Sequence, residues 1–135
     1  MREIKTHHDG LGLTELCRVF AAGKPHPVNG ANHRYKLQRD LTAREIYLEC
    51  DSSRAKSVGF IQFQCGPRDE PDSTPGTLDG AVLAVLIDRL ESFQAGSFAC
   101  PENEIVLEHL RSAAVALVFR ARDRALRGVL GKNEK

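Results

Sequence analysis

A segment rich in proline and glycine at residues 66–77 divides the chain into two parts with different patterns. It reads GPRDEPDSTPGT and contains three prolines and two glycines. Proline has no backbone N–H to donate and fixes its own φ angle, so neither a helix nor a central strand continues through such a segment. We therefore predict a linker at residues 67–77, between a β-sheet lobe at residues 1–66 and a helical hairpin at residues 78–130.

Short apolar runs separated by turn residues indicate strands before the linker. The runs lie at residues 13–21, 33–39, 44–50 and 58–64. Pieces rich in turn-forming residues, such as the glycines and prolines of residues 23–30, connect them. Because no helical pattern separates the runs, we predict an antiparallel sheet of about four strands.

The first helix of the predicted hairpin covers residues 78–94. Its run at residues 81–87 is apolar almost all round, which indicates burial on several sides. Thr77 suits the N-cap, and Gly96 suits the left-handed residue after the last turn. One partner helix and a small sheet leave part of this helix uncovered, so we predict a homo-oligomer.

The second helix begins near Pro101, because proline is favoured at the first helical position, and ends near Arg127, before Gly128. Acidic residues lie at its start and arginines at its end, which complements the helix dipole. These residues are Glu102, Glu104 and Glu108, then Arg120, Arg122, Arg124 and Arg127. The predicted fold class is α+β, with a small antiparallel sheet followed by a two-helix hairpin.

Composition and charge exclude several kinds of partner. The chain has 135 residues, enough for one domain or for two small lobes that share one core. A net charge of +1 does not favour polymeric nucleic acid. No apolar run approaches the roughly 20 residues that span a bilayer, so no membrane partner is predicted.

Cysteines and histidines do not form a metal pattern. Four cysteines are widely spaced, at positions 17, 50, 65 and 100, without the pairing typical of zinc sites. We predict reduced thiols, no metal, no cofactor and no catalytic residue. The HHDG run at residues 7–10 is the one candidate for a catalytic or metal motif, but adjacent histidines in an extended segment point to opposite faces. A turn is the simpler interpretation.

The corner of the hairpin combines groups that suit a nucleotide. Phe93 lies in the last turn of the first helix and Asn103 in the first turn of the second. An aromatic face, a carboxamide and free helix N–H groups are what a base and its phosphates require. The alternative, in which Phe93 belongs to the core and Asn103 caps the turn, stays open.

Arginines near the end of the chain share one helical face. Arg120, Arg124 and Arg127 follow an i, i+4, i+7 spacing, whereas Arg122 points away. This face borders an apolar stripe, which suits phosphate binding or an inter-subunit salt bridge, and both interpretations stay open. Asn103 lies 17 positions before Arg120, about 25 Å along a helix. The corner and the arginines therefore form two sites, or one site completed by a second subunit.

Five sequence segments resemble known phage proteins. THHDGLGLTEL at 6–16, GANHRY at 30–35 and IQFQCGP at 61–67 resemble the phage-encoded Thoeris anti-defence family. DRLESFQAGSFACPEN at 88–103 and RARDRALRGVLG at 120–131 resemble the hairpin segment that this family shares with phage anti-CBASS sponges. Residues 40–57 and 68–77 have no match.

This resemblance implies a sponge that binds glycocyclic ADP-ribose, the cyclic ADP-ribose isomers made by bacterial TIR-domain enzymes, without cleaving it. It implies a homodimer or homohexamer in the cytoplasm of an infected bacterial host. Some members also hold cyclic oligonucleotides at a second site, so cyclic di- or trinucleotides are further candidate partners.

The resemblance also implies roles for five residues. Phe93 matches the stacking aromatic and Asn103 the polar ligand contact. Arg120 and Arg124 match the phosphate-binding pair, and Arg68 is a further candidate after the last strand.

The sequence departs from the family pattern at three positions. Cys65 stands where Asn is common, Pro101 where Arg is common, and Leu130 where Glu is common. These departures concern ligand preference more than fold. Two alternative functions remain: an enzyme that hydrolyses the same messengers, and a structural phage oligomer without a ligand.

Overall fold

The chain consists of two compact units, Met1–Gln62 and Phe63–Lys135. A computed structural model describes residues 1–7, 10, 16–42, 45, 55–132 and 134. The first unit is a β-sheet and the second contains two helices, so the predicted α+β class is confirmed. The predicted division into a lobe, a linker and a hairpin stays a prediction.

Four strands form the sheet of the first unit. They are β1 (Arg2–Ile4), β2 (Cys17–Ala21), β3 (Arg34–Asp40) and β4 (Ala55–Gln62). The spatial order is β1-β2-β3-β4, and each strand is antiparallel to the next. Strands that follow one another in the chain therefore lie side by side, as expected when no helix separates them.

The predicted strands correspond to β2, β3 and β4, whereas β1 was not predicted. A strand of three residues is too short for an alternating pattern to show. Of the predicted strand at residues 44–50, only Glu45 lies among the described residues, and its backbone is helical, so the prediction is wrong there. Residues 13–15 of the first predicted run also lie outside the described residues.

A capping pattern explains the local structure at Glu45. The Thr42 N–H donates to the Glu45 carboxylate at 2.9 Å, and the Glu45 N–H donates to Thr42 Oγ1 at 3.3 Å. Such a reciprocal pair is the capping box, which begins helices. Arg39 also donates to both carboxylate oxygens. The hydrogen bond from Arg39, followed by those from Thr42, holds the pKa of Glu45 well below its usual range.

Side chains alternate across the sheet. Val19 on β2 pairs with Leu37 on β3, and Tyr35 on β3 pairs with Ile61 on β4, which places apolar residues on one face. Ala21 and Leu41 are the buried residues among those described in this unit. With so small a core, the hydrogen bonds between paired strands hold much of the sheet together.

Two antiparallel helices form the hairpin of the second unit. Helix α1 spans Asp79–Gln94 and helix α2 spans Pro101–Leu126. Acidic residues in the first turn of α2 and Arg124 in its last turn follow the predicted charge pattern. Arg127 caps α2 and Gly128 follows it with φ of 70°, so the predicted end of this helix is confirmed.

The ends of α1 differ from the prediction. Leu78, not Thr77, is the N-cap, and it makes no side-chain capping hydrogen bond. Thr77 instead pairs with Phe63 in an isolated β-bridge, where its carbonyl accepts a hydrogen bond from Gln64. Ala95 caps the other end in a right-handed conformation, and Gly96 has no positive φ.

Much apolar surface of the hairpin faces outward. Among the described residues of this unit, only Leu107 is buried, and α1 has no buried residue. Val85 on α1 is 68% exposed and Phe119 on α2 is 62% exposed. The predicted burial of α1 on several sides is therefore not achieved within one chain.

The predictions about the cysteines and about membrane spans can be compared with the described residues. Cys17, Cys65 and Cys100 are free thiols and are half-buried, while Cys50 lies outside the described part of the chain. Neither described helix is long and apolar enough to span a bilayer.

Candidate functional site

Polar contacts fix the corner between α1 and α2. Arg111 on α2 donates to the Glu91 carboxylate on α1 at 2.8 Å and lies 3.8 Å from Glu104. The bond to Glu91 raises the pKa of Arg111 above its usual value. Gln94, the last residue of α1, accepts a hydrogen bond from the Cys100 N–H at 2.9 Å. These contacts hold the last turn of α1 beside the first turns of α2.

Two phenylalanines form an open aromatic surface at this corner. The Phe93 and Phe98 ring centroids are 6.4 Å apart, and the rings are inclined at 68°. This edge-to-face arrangement is favourable for aromatic pairs. Phe93 is half-buried, whereas Phe98 is 76% exposed. Phe93 is therefore not a core residue, and a flat apolar ligand can reach the pair.

Arg89 adds a positive charge to the aromatic surface. It lies one turn before Phe93 on α1, and its guanidinium carbon is 4.9 Å from the Phe93 ring centroid. This distance is typical of a cation–π contact. Within the described part of the chain, Arg89 makes no hydrogen bond and no ion pair.

Asn103 connects α2 to the loop that carries Phe98. Its Nδ2 donates to the Phe98 carbonyl at 3.3 Å. The side chain is half-buried and its Oδ1 accepts no hydrogen bond from the residues that the structure describes. Asn103 thus holds the loop and keeps one acceptor available. We call Arg89, Phe93, Phe98 and Asn103 the corner cluster.

The arginines of the other end of α2 have different surroundings. Arg124 is half-buried and donates to the backbone carbonyls of Val129 at 2.9 Å, Lys132 at 2.6 Å and Glu134 at 3.1 Å. Arg124 therefore closes the C-terminal segment onto the helix. To bind a phosphate with the same donors, it has to release these carbonyls.

The neighbours of Arg124 on the predicted arginine face also differ from one another. Arg127 forms an ion pair with Asp123, one turn earlier, at 2.7 Å. Arg120 is exposed and has no hydrogen bond or ion pair with the described residues. Of the three arginines on this face, Arg120 is therefore the one whose donors are available.

Arg68 lies at the same end of the hairpin as Arg124. Gly131, in the C-terminal segment, lies so close to Pro67 that a Cβ added to it would be 3.3 Å from the Pro67 Cα. Gly131 also has φ of 79°, which favours glycine. Arg68 follows Pro67 directly and is exposed.

The five predicted site residues thus fall into two groups. Phe93 and Asn103 lie at the corner, whereas Arg68, Arg120 and Arg124 lie toward the far end of α2. The roles assigned to them stay predictions. Our sequence reasoning missed Arg89 and Phe98. The signal for Arg89 was an arginine four positions before the candidate stacking ring, where helical spacing brings the two side chains together.

His7, the first residue of the HHDG run, lies among the described residues. The Nε2 atom of His7 is hydrogen-bonded to the Cys17 carbonyl at 2.7 Å. His8 and Asp9 lie outside the described residues. Elsewhere among the residues described, no three histidine, cysteine or acidic side chains form a group able to hold a metal ion.

Comparison with known proteins agrees with this architecture. A family model described as the Acb2/Tad1 hairpin domain matches residues 55–121, from β4 into α2. The chain therefore contains a segment, about half of its length, that matches the Acb2/Tad1 hairpin domain. The match includes Arg68, both helices of the corner and Arg120, and it ends before Arg124.

A curated relative extends the comparison. The chain is 35% identical over 81 residues to Thoeris anti-defense 1 of Bacillus phage SBSphiJ7. This alignment covers 60% of the chain and spans 56% of the length of the relative. The resemblance to the Thoeris anti-defence family that the sequence motifs indicated is confirmed.

Proposed function

We propose that the protein binds cyclic ADP-ribose-type signalling nucleotides, represented by glycocyclic ADP-ribose, and sequesters them without cleaving them. By removing the messenger in the cytoplasm of the infected bacterial host, it blocks an immune response. The match to the Acb2/Tad1 hairpin domain and the 35% identity to a Thoeris anti-defence protein support this class of function. The observation that carries the proposal is the aromatic pair of the corner cluster, half-buried Phe93 and exposed Phe98, with a cation and an amide beside it.

Each part of the corner cluster suits one part of such a ligand. The Phe93 and Phe98 rings offer a surface on which adenine stacks, an interaction worth about 1–3 kcal/mol per base. The free acceptor of Asn103 suits the adenine amino group or a ribose hydroxyl. None of these roles requires a nucleophile or a general base, so binding leaves the ligand intact.

Self-association completes the proposed site. Sequestration at nanomolar concentration requires about −12 kcal/mol, which an open surface on one chain does not supply. Val82 and Leu83 of α1 and Leu117 of α2 line an apolar groove of about 450 Å³, and further apolar residues are exposed on both helices. A homodimer or homohexamer would cover these faces and bring a second subunit toward the corner.

The arginine group forms the proposed second site. Arg68, Arg120 and Arg124 carry positive charge at the end of the hairpin away from the corner, as cyclic di- or trinucleotides require. Arg120 offers available donors, whereas Arg124 has to exchange backbone carbonyls for phosphate oxygens. We therefore expect cyclic di- and trinucleotides to bind at this second site more weakly or more slowly than the spacing of its arginines alone suggests.

The proposed function is tested by recovering the ligand. Purified protein is incubated with glycocyclic ADP-ribose, its melting temperature is measured, and the ligand released by heating is identified by mass spectrometry. At a ligand concentration of about 100 times Kd, binding adds about 2.7 kcal/mol of stability. We expect this stabilisation and intact ligand after heating.

Two other outcomes contradict the proposal and separate its alternatives. A lasting product indicates an enzyme that hydrolyses the messenger. An unchanged melting temperature, with cyclic di- and trinucleotides included in the panel, indicates a structural phage oligomer without a ligand.

A further inference from the structure

We infer that Arg89 binds the pyrophosphate of the ligand and thereby determines its specificity for doubly charged cyclic nucleotides. This inference rests on the proposed function and adds the phosphate contact that the corner otherwise lacks. Its basis is the position of the Arg89 guanidinium over the Phe93 ring, together with the absence of any carboxylate partner for Arg89 among the described residues.

The ring contact orients Arg89 without using its donors. The guanidinium carbon lies 4.9 Å from the Phe93 centroid. A cation held against an aromatic face keeps all five N–H groups available for an anion. Since the ring restricts the side chain before the ligand arrives, less conformational entropy is lost on binding. Arg89 is therefore preorganised for an anion next to the stacking surface.

The other arginine at the corner already has acidic partners. Arg111 forms ion pairs with Glu91 and Glu104, so its single positive charge is opposed by two negative charges and is not available to a phosphate. Arg89 has no such partner within the described part of the chain. It is thus the cation of the corner cluster that is left for a phosphate.

The chemistry of the ligand fits this arrangement. A pyrophosphate carries two negative charges, and arginine binds phosphate oxygens through two parallel N–H bonds. In an adenine nucleotide the phosphates are joined to the base through a ribose, so a base on the Phe93 and Phe98 surface places them beside that surface. Arg89 lies one helical turn before Phe93, with its guanidinium carbon 4.9 Å from the Phe93 ring centroid.

The test compares Arg89→Gln with Arg122→Gln, using glycocyclic ADP-ribose as the probe. Arg122 is an exposed arginine of α2 that likewise has no hydrogen bond or ion pair with the described residues. Calorimetry at several salt concentrations gives the affinity and its salt dependence. We expect Arg89→Gln to weaken binding by about 10- to 100-fold, the range for a lost charged hydrogen-bonded contact. Arg122→Gln should leave affinity unchanged.

Salt dependence separates a phosphate contact from a merely structural role. If Arg89 binds the pyrophosphate, the affinity of Arg89→Gln falls less steeply with added salt than that of the unaltered protein. Arg89→Lys, which keeps the charge but loses the bidentate geometry, should bind with intermediate affinity. A weakened Arg89→Gln with an unchanged salt dependence would mean that Arg89 only supports the Phe93 ring, and it would overturn the inference.

Failure of this inference is distinguishable from failure of the proposed function. If the unaltered protein binds glycocyclic ADP-ribose and Arg89→Gln binds it equally well, the inference is wrong and the proposed function stands. If the unaltered protein does not bind the probe, the proposed function is wrong and the inference falls with it.

Discussion

The two ends of the hairpin use arginine in opposite ways. At the corner, Arg89 lies over the Phe93 ring and its N–H donors have no acceptor among the described residues. At the far end, Arg124 is half-buried and donates to three backbone carbonyls of the C-terminal segment. Spacing along the helix indicates which face an arginine lies on, but the groups around it decide whether it is available to a ligand.

Replacing the stacking ring should have the largest effect. In Phe93→Ala the base loses its stacking surface and Arg89 loses the ring that orients it. We expect binding of glycocyclic ADP-ribose to weaken by at least about 100-fold, at the upper end of the range for stacking on one aromatic, while the oligomeric state is unchanged. Calorimetry and size-exclusion chromatography check both parts.

A matched control for the ring is available in the sheet. Phe60 on β4 is 63% exposed and has Lys36 Nζ 6.0 Å from its ring centroid, so it also combines an aromatic with a cation. Phe60→Ala should retain full affinity. Equal losses in the two variants, or normal binding by Phe93→Ala, would mean that the pocket is misplaced.

Replacing Arg124 should affect stability before it affects the main ligand. Arg124→Gln removes donors to the carbonyls of Val129, Lys132 and Glu134, and we expect unfolding free energy to fall by about 1–3 kcal/mol. Denaturant titration without ligand measures this change. Arg120→Gln, which removes an arginine without a partner in the described residues, should be nearly neutral in the same assay.

Arg124 also tests the proposed second site. Arg124→Glu should weaken binding of a cyclic trinucleotide more than binding of glycocyclic ADP-ribose, because the two ligands occupy opposite ends of the hairpin. Equal loss of both ligands would contradict the assignment of the two ligands to opposite ends of the hairpin. Unaffected binding of the trinucleotide would reduce Arg124 to a structural residue.

Removing the ion pair between Glu91 and Arg111 at the corner should have the smallest effect on ligand affinity. Glu91→Gln removes the carboxylate that Arg111 contacts at 2.8 Å, but both side chains are about half exposed, and exposed ion pairs contribute little. We expect a melting temperature slightly below that of the unaltered protein and at most a few-fold loss of affinity. A loss as large as that of Phe93→Ala would show that the relative position of the two helices at the corner, rather than stacking on Phe93, dominates binding.

The sequence predicted the fold class and the hairpin because these depend on local signals. The alternating runs of the strands and the apolar stretch of α1 are patterns that a few neighbouring residues establish. The capping pair of Thr42 and Glu45 was also a local signal, a Thr followed three positions later by Glu, and it was overlooked in favour of the apolar residues that follow.

Two further features depend on contacts that the spacing along a helix or strand does not show. Thr77 satisfies the local requirements of an N-cap, but it forms a β-bridge with Phe63, which lies before the predicted linker. Likewise, the helical spacing of Arg124 does not reveal that the C-terminal segment folds back onto its guanidinium. Phe93 and Asn103 could be placed at the same corner from the sequence because both flank one short loop.

A crystal structure of the protein with glycocyclic ADP-ribose tests the central claim most directly. We predict adenine against the Phe93 and Phe98 rings, the pyrophosphate within hydrogen-bond distance of Arg89, and every covalent bond of the messenger unbroken. An empty corner with the nucleotide held elsewhere, or a hydrolysed product in its place, would contradict the account.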